Sequence, residues 1–162
     1  MDCANDIVRA LHSGILLTTK AGDQVNSMVI GWGTLGSLWG KSIFIAYVRD
    51  NRFTRTLLDE NPEFTVNVPV GKLNLEIMTV CGAKSGRNMD KLSAVGLTPV
   101  APEVISVPAI KELPLTLECR VVYRDQPSEP HEGGVQSGYP MSMDEHICYY
   151  GEIVAAYIIE EA

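Results

Sequence analysis

Ala46-Tyr-Val-Arg-Asp-Asn-Arg-Phe-Thr-Arg-Thr-Leu-Leu58 is the stretch in which one kind of local structure gives way to another. Ile43 to Val48 is β-branched and aromatic with no helical period, which reads as a buried strand. Asp50 and Asn51 stop that strand. Either is suited to cap the helix that Phe53, Leu57 and Leu58 imply, and Asn61-Pro62 closes it. A strand therefore runs into a helix N-terminus, where Arg49, Arg52 and Arg55 crowd together and Thr54 adds a hydroxyl. Free backbone N–H groups, the positive end of a helix dipole and guanidinium forks together suit a phosphate. Cations alone are unfavourable at that end of a helix. Either an anion sits between them and the helix, or the turn is a solvated charged surface.

Working outward, residues Asp2 to His12 have Ile7, Val8 and Leu11 on one helical face, with Gly14 as the stop. Ile15 to Thr19 and Gln24 to Ile30 make a hairpin about the turn Ala21-Gly-Asp23. Gly31-Trp-Gly-Thr-Leu-Gly-Ser-Leu-Trp-Gly40 carries four glycines and both tryptophans. Its glycines mark bulges or a ligand's close approach, or else barrel corners against which Trp32 and Trp39 pack. Beyond the central helix, Glu63 to Val68 turns Phe64, Val66 and Val68 inward and ends at Pro69. Leu73 to Val80 is helical. Leu97 to Ala109, with three prolines, is an extended connector along the surface. Leu113 to Tyr123 alternates Leu115, Leu117, Cys119 and Val121, and His146 to Ile159 is the most apolar strand. The segment Gln126 to Met143 between them is too long and irregular for a hairpin turn, and loops of that kind tend to cover functional sites. Six or seven strands and three or four short helices, joined mostly by hairpins, point to a mainly β antiparallel barrel with helices attached. A single domain over residues 1–162 is expected.

Composition narrows the function. With 46% hydrophobic and 20% charged residues, the chain is globular and not disordered. Its net charge of −7 and pI of about 4.9 argue against nucleic-acid or anionic-membrane partners, and make a local arginine cluster conspicuous. No apolar run suits a membrane span, and Met1-Asp-Cys-Ala-Asn-Asp lacks the features of a signal peptide, so the cytoplasm is expected. Cys3, Cys81, Cys119 and Cys148 have no Cys-x-x-Cys spacing, and His12, His131 and His146 have no metal-type spacing, so no metal is expected. Cys119 and Cys148 read as buried thiols, whereas Cys81 adjoins a glycine-rich loop. No G-x-G-x-x-G follows a strand, and there is no Walker loop, G-x-S-x-G elbow or H-E-x-x-H.

That loop, Cys81-Gly-Ala-Lys-Ser-Gly-Arg-Asn-Met-Asp-Lys91, is the second anion-suited element. Ser85 offers a hydroxyl, Lys84, Arg87 and Lys91 offer cations, and Gly82 and Gly86 admit close backbone approach. Asp90 either holds Arg87 or Lys91 or caps the following helix, which closes at Gly96. Together with Arg52 and Thr54 the loop makes a two-sided phosphate clamp.

Four motifs in order, Asn26-Ser-Met-Val-Ile-Gly-Trp-Gly33, Tyr47-Val-Arg-Asp-Asn-Arg-Phe-Thr54, Cys81 to Lys91, and Gly151-Glu-Ile-Val, resemble the flavin reductase-like FMN-binding split-barrel family, and its short flavoredoxin-like branch most. The resemblance implies a six-stranded antiparallel split β-barrel that forms a homodimer with FMN near the interface. It implies that Asn26, Ser27, Met28, Trp32 and Gly33 lie beside the isoalloxazine and that Tyr47 and Val48 line the ring pocket. It further implies that Arg52, Thr54, Ser85 and Lys91 hold the phosphate, with Gly82 and Gly86 alongside; Arg49 and Cys81 belong to the same two cofactor-binding stretches. Where reductases of two-component monooxygenases usually carry an Asp/Asn-Pro-Pro turn, this chain has Ser37-Leu-Trp-Gly-Lys41.

No catalytic nucleophile–base pair is assigned, because a flavin carries the chemistry itself. His146 is either a contact for nicotinamide or the flavin edge, or a surface histidine at a strand start. Three functions remain open: an NADH- or NADPH-dependent reductase of flavin or a small acceptor, an FMN electron carrier with a redox partner protein, and a flavin-free barrel.

Overall fold

The computed structural model describes residues 3–72, 74–126 and 146–160. Helix α1 (Cys3–Leu11) precedes the hairpin β1 (Ile15–Ala21) and β2 (Gln24–Ile30), followed by β3 (Gly33–Leu38) and β4 (Lys41–Arg49). Then come α2 (Phe53–Glu60), β5 (Glu63–Val68), α3 (Leu75–Ala83), α4 (Lys91–Ala94) and the short pair β6 (Pro99–Val100) and β7 (Ala109–Ile110). Long strands β8 (Leu115–Asp125) and β9 (His146–Ile158) complete it. Apart from Gln126, the segment expected to cover the site, Gln126 to Met143, lies outside the described residues.

One antiparallel sheet runs β2-β1-β5-β8-β9-β4-β3. Period-2 alternation builds its core: Ile15 and Leu17, Phe44, Ala46 and Val48, Phe64, Val66 and Val68, Leu115, Leu117 and Cys119, and Ile147 and Tyr149 all join one buried cluster. The sheet curls until β2 and β4 line a common cleft, yet no ladder joins those two strands among the described residues. That opening is the split in the barrel.

The main sheet has seven strands, within the six or seven that the sequence pattern predicts and one more than the resemblance implies. The glycine-rich segment supplies the extra one: β3 pairs with β4 from Gly33↔Ala46 to Leu38↔Lys41. The two-residue turn between them has Trp39 at φ 53° and Gly40 at φ 68°, the backbone that a tight primed hairpin demands. A tryptophan in that region costs about 1–2 kcal/mol, offset here by edge packing on Tyr123 at 5.7 Å and a tilted contact with Tyr150 at 5.9 Å.

The Leu97–Ala109 connector is less superficial than its prolines suggest. Val107, Ala109 and Ile110 are fully buried against the second face of the sheet. That face is polar, and its side chains bond the connector's backbone. Glu118 accepts from the N–H groups of Val104 at 2.8 Å and Ile105 at 3.1 Å, from that of Glu103, and from the Tyr157 hydroxyl at 2.7 Å. Asn67 accepts from Ile110 N–H at 3.0 Å, and Thr65 donates to the Pro108 carbonyl at 2.8 Å. No helix is long and apolar enough to cross a membrane among the described residues.

Candidate functional site: a cleft graded from cationic to apolar

Helix α2 begins one or two residues later than the sequence suggests. Arg52 N–H bonds back to the Arg49 carbonyl at 3.0 Å, so Asp50 and Asn51 lie in a turn before the helix and neither is its N-cap residue. Arg52 itself occupies the cap position, makes no side-chain cap, and is followed by no acidic residue in the first turn. The first turn of α2 thus supplies no anion of its own to the helix's positive end. Arg55 leaves the cluster: it pairs with Asp50 at 3.3 Å and with Asp59 at 2.8 Å.

Helix α3 is capped by Asn74, whose side chain accepts from Glu76 and Ile77, and it runs through Gly82 to Ala83. Cys81 and Gly82, expected in the loop, are therefore helical. The Cys81 thiol is buried, and burial pushes its pKa up despite the nearby Lys91 charge. Its carbonyl is what matters, because it accepts from Lys91 Nζ at 3.4 Å. Asp90 caps α4 through Ser93 and pairs with neither Arg87 nor Lys91. Arg87 binds the two loops together: it donates to the Asn51 carbonyl at 3.2 Å and to the Thr56 hydroxyl at 3.4 Å, and lies over the Phe53 ring.

Between these loops opens a cleft of about 380 Å³ reached by Arg49, Arg52, Lys84, Arg87 and Lys91, together with Thr54 and Ser85, and by no carboxylate among the described residues. Lys91 is only 3% exposed. Burial and the Arg52 charge push its pKa down, partly countered by Cys81. An ammonium has three donors, and the one acceptor it meets among the described residues, the Cys81 carbonyl, is 3.4 Å away.

Met28, Arg49 and Arg52 continue into an adjoining cleft of about 240 Å³ that also meets Trp32, Tyr47 and His146. Trp32 and His146 stack at 4.7 Å with a 30° tilt. Trp32, Gly33 and Tyr47 then face a more apolar hollow of about 320 Å³ bordered by Val8 and Leu11 of α1 and by His12 in the turn that follows it. Tyr47 is held by a hydrogen bond with Thr34 at 3.0 Å. The contribution of α1 was missed in the sequence; half-exposed Val8 on an otherwise buried helical face was its one signal.

Several expected contacts sit elsewhere. Val48 points into the core because its neighbour Tyr47 faces the cleft. Ser27 is buried, its hydroxyl 2.8 Å from that of Thr18. Asn26 lies at the cationic end of the groove, where it donates to Thr54 and abuts Gly86. Gly82 rests against Val29. Met28, Trp32, Gly33, Tyr47, Arg49, Arg52, Thr54, Ser85, Gly86 and Lys91 all line the continuous groove.

Comparison with known proteins gives this groove its context. The chain is 34% identical over 100 residues to an uncharacterized protein of Archaeoglobus fulgidus, a match covering 62% of this chain and 55% of the relative. It therefore spans little more than half of that relative's length. Among solved structures, flavoredoxin from Methanosarcina acetivorans superposes with a TM-score of 0.70 at 27% identity, over 91% of this chain and 68% of that one. Flavoredoxin of Desulfovibrio vulgaris (Miyazaki F) superposes with a TM-score of 0.69 at 23% identity, over 91% and 69%, a likeness of fold. The flavin reductase like domain matches residues 8–162, nearly the whole chain, and the protein belongs to that family.

Proposed function

We propose that this chain binds FMN along the graded groove and works as an NADH- or NADPH-dependent reductase of a flavin or another small acceptor. The observation that carries this reading is the buried Lys91 ammonium, with one long hydrogen bond in a cleft of cations and hydroxyls. That arrangement fits a terminal phosphate. Arg52, Thr54, Ser85 and Lys91 would hold it, while Met28, Trp32, Tyr47 and His146 would flank the ring. Bound FMN would supply hydride and electron transfer. The protein's part is to seat the phosphate, to offer Trp32 and His146 as a planar wall, and to keep the ring edge in the apolar hollow behind α1.

The likeness to a flavoredoxin favours a second reading, an FMN electron carrier fed by a redox partner protein. Anaerobic addition of NADH or NADPH to the yellow protein separates the two. Prompt bleaching supports the reductase, bleaching by a protein donor alone supports the carrier, and a colourless protein that takes up no FMN removes both.

A homodimer belongs to the same proposal. Trp39 at 56% and Tyr123 at 48% exposure pack together with Tyr150 and leave an exposed aromatic patch where the β3–β4 turn meets β8 and β9. Light scattering at micromolar concentration should return twice the chain mass, and a monomer mass would refute it.

A further inference from the structure

We infer that Asn26 is a positioning residue that fixes the direction of the Thr54 hydrogen bond, so that the Thr54 hydroxyl donates into the cleft. The inference rests on the phosphate reading above and adds to it how the cleft tells an acceptor-only anion from other end groups.

Asn26 and Thr54 are 3% and 1% exposed, and Asn26 Nδ2 donates to Thr54 Oγ1 at 3.0 Å. The amide cannot profitably turn over. Its Oδ1 packs against Gly86 so closely that a Cβ there would collide with it, and an NH2 group in that position would face the Gly86 Cα with no acceptor. A hydroxyl that accepts from Asn26 must send its own hydrogen elsewhere, and no acceptor for it exists among the described residues. Thr54 lines the cationic cleft, so the free direction is the ligand's.

The opposite loop repeats the device. Ser85 Oγ accepts from the backbone N–H of Arg87 at 3.2 Å, which likewise leaves the Ser85 O–H as a donor. Both hydroxyls are thus set as donors before any ligand arrives. With the surrounding cations they form a cradle of donors, suited to a phosphate monoester dianion, whose terminal oxygens only accept. Gly86 is required because Asn26 needs its space.

A double-mutant cycle tests this. FMN and riboflavin are titrated separately into the flavin-stripped full-length protein carrying Asn26→Leu, Thr54→Val or both. Leucine keeps the shape of asparagine without its donor. Asn26→Leu should weaken FMN about tenfold and leave riboflavin within about twofold, and it should cost almost nothing further once Thr54 is valine. Equal loss of FMN and riboflavin would return Asn26 to the ring and overturn the inference. The same FMN loss in both Thr54 backgrounds would also overturn it, because Asn26 would then act independently of Thr54. If wild type binds FMN no more tightly than riboflavin, the phosphate reading itself fails, a distinct result.

Discussion

Glu118 and Lys91 are both nearly sealed from solvent, at 0% and 3% exposure, but the protein surrounds them in opposite ways. Glu118 receives three backbone N–H groups and a tyrosine hydroxyl. Burial works against its charge, but those bonds outweigh burial and hold its pKa below the ordinary 4.5. Lys91 has one carbonyl at 3.4 Å and cationic neighbours, and its pKa is pushed down. A buried charge whose bonds are complete is part of the fold, whereas one left incomplete beside a cleft is suited to a ligand.

Breaking the fully bonded charge should have the largest effect. Glu118→Ala strands three connector N–H groups and the Tyr157 hydroxyl, and should lower unfolding free energy by about 3–5 kcal/mol in denaturant titration. Because the folded pKa is depressed, the contribution of Glu118 is fully present above pH 4.5 and fades as pH falls through the folded value. Wild type should therefore lose more stability on acidification than the variant does.

Lys91→Met should do the reverse. It removes a charge that the empty protein solvates poorly, so the flavin-free variant should melt at the wild-type temperature or above it. Its FMN affinity should fall by about tenfold to a hundredfold. A variant destabilised as severely as Glu118→Ala would show that Lys91 is a structural group like Glu118.

A smaller effect appears in pH profiles. The penalty for burying charged Lys91 is full below its folded pKa and is relieved as pH rises from there toward 10.5. Flavin-free protein should gain stability over that window while FMN binding weakens, because the ammonium that meets the phosphate is lost. Lys91→Arg keeps its charge and should flatten the alkaline decline. On the acid side, FMN affinity should fall below about pH 6, where the phosphate takes up a proton.

Much of the fold was legible because strands with one buried face advertise themselves by alternation. Phe64, Val66 and Val68, or Leu115, Leu117 and Cys119, leave little freedom of register. The seventh strand was obscured by Gly33 and Gly36, whose pairing with Ala46 and Ile43 is a backbone property that side-chain pattern does not record. The cap of α2 was misread because Asp50 and Asn51 look like caps locally, and only the Arg49–Arg52 turn shows the helix starting later. Charge clustering singled out the two basic loops that border the cleft, but not which of their cations face it. Arg55 is drawn off by Asp59 one helical turn away, whereas Arg87 reaches the cleft while also donating to the Asn51 carbonyl and the Thr56 hydroxyl. The role of Asn26 depends on a long-range contact with Thr54 that spacing alone does not reveal.

The central claim is that the cationic cleft grips the phosphate of FMN. It is tested most directly by measuring FMN and riboflavin affinities for wild type and Arg52→Ala. Riboflavin, which lacks the phosphate, should bind wild type much more weakly than FMN. Arg52→Ala should weaken FMN by about tenfold to a hundredfold and leave riboflavin nearly unchanged. Equal losses for the two ligands, or equal wild-type affinities, would contradict the claim.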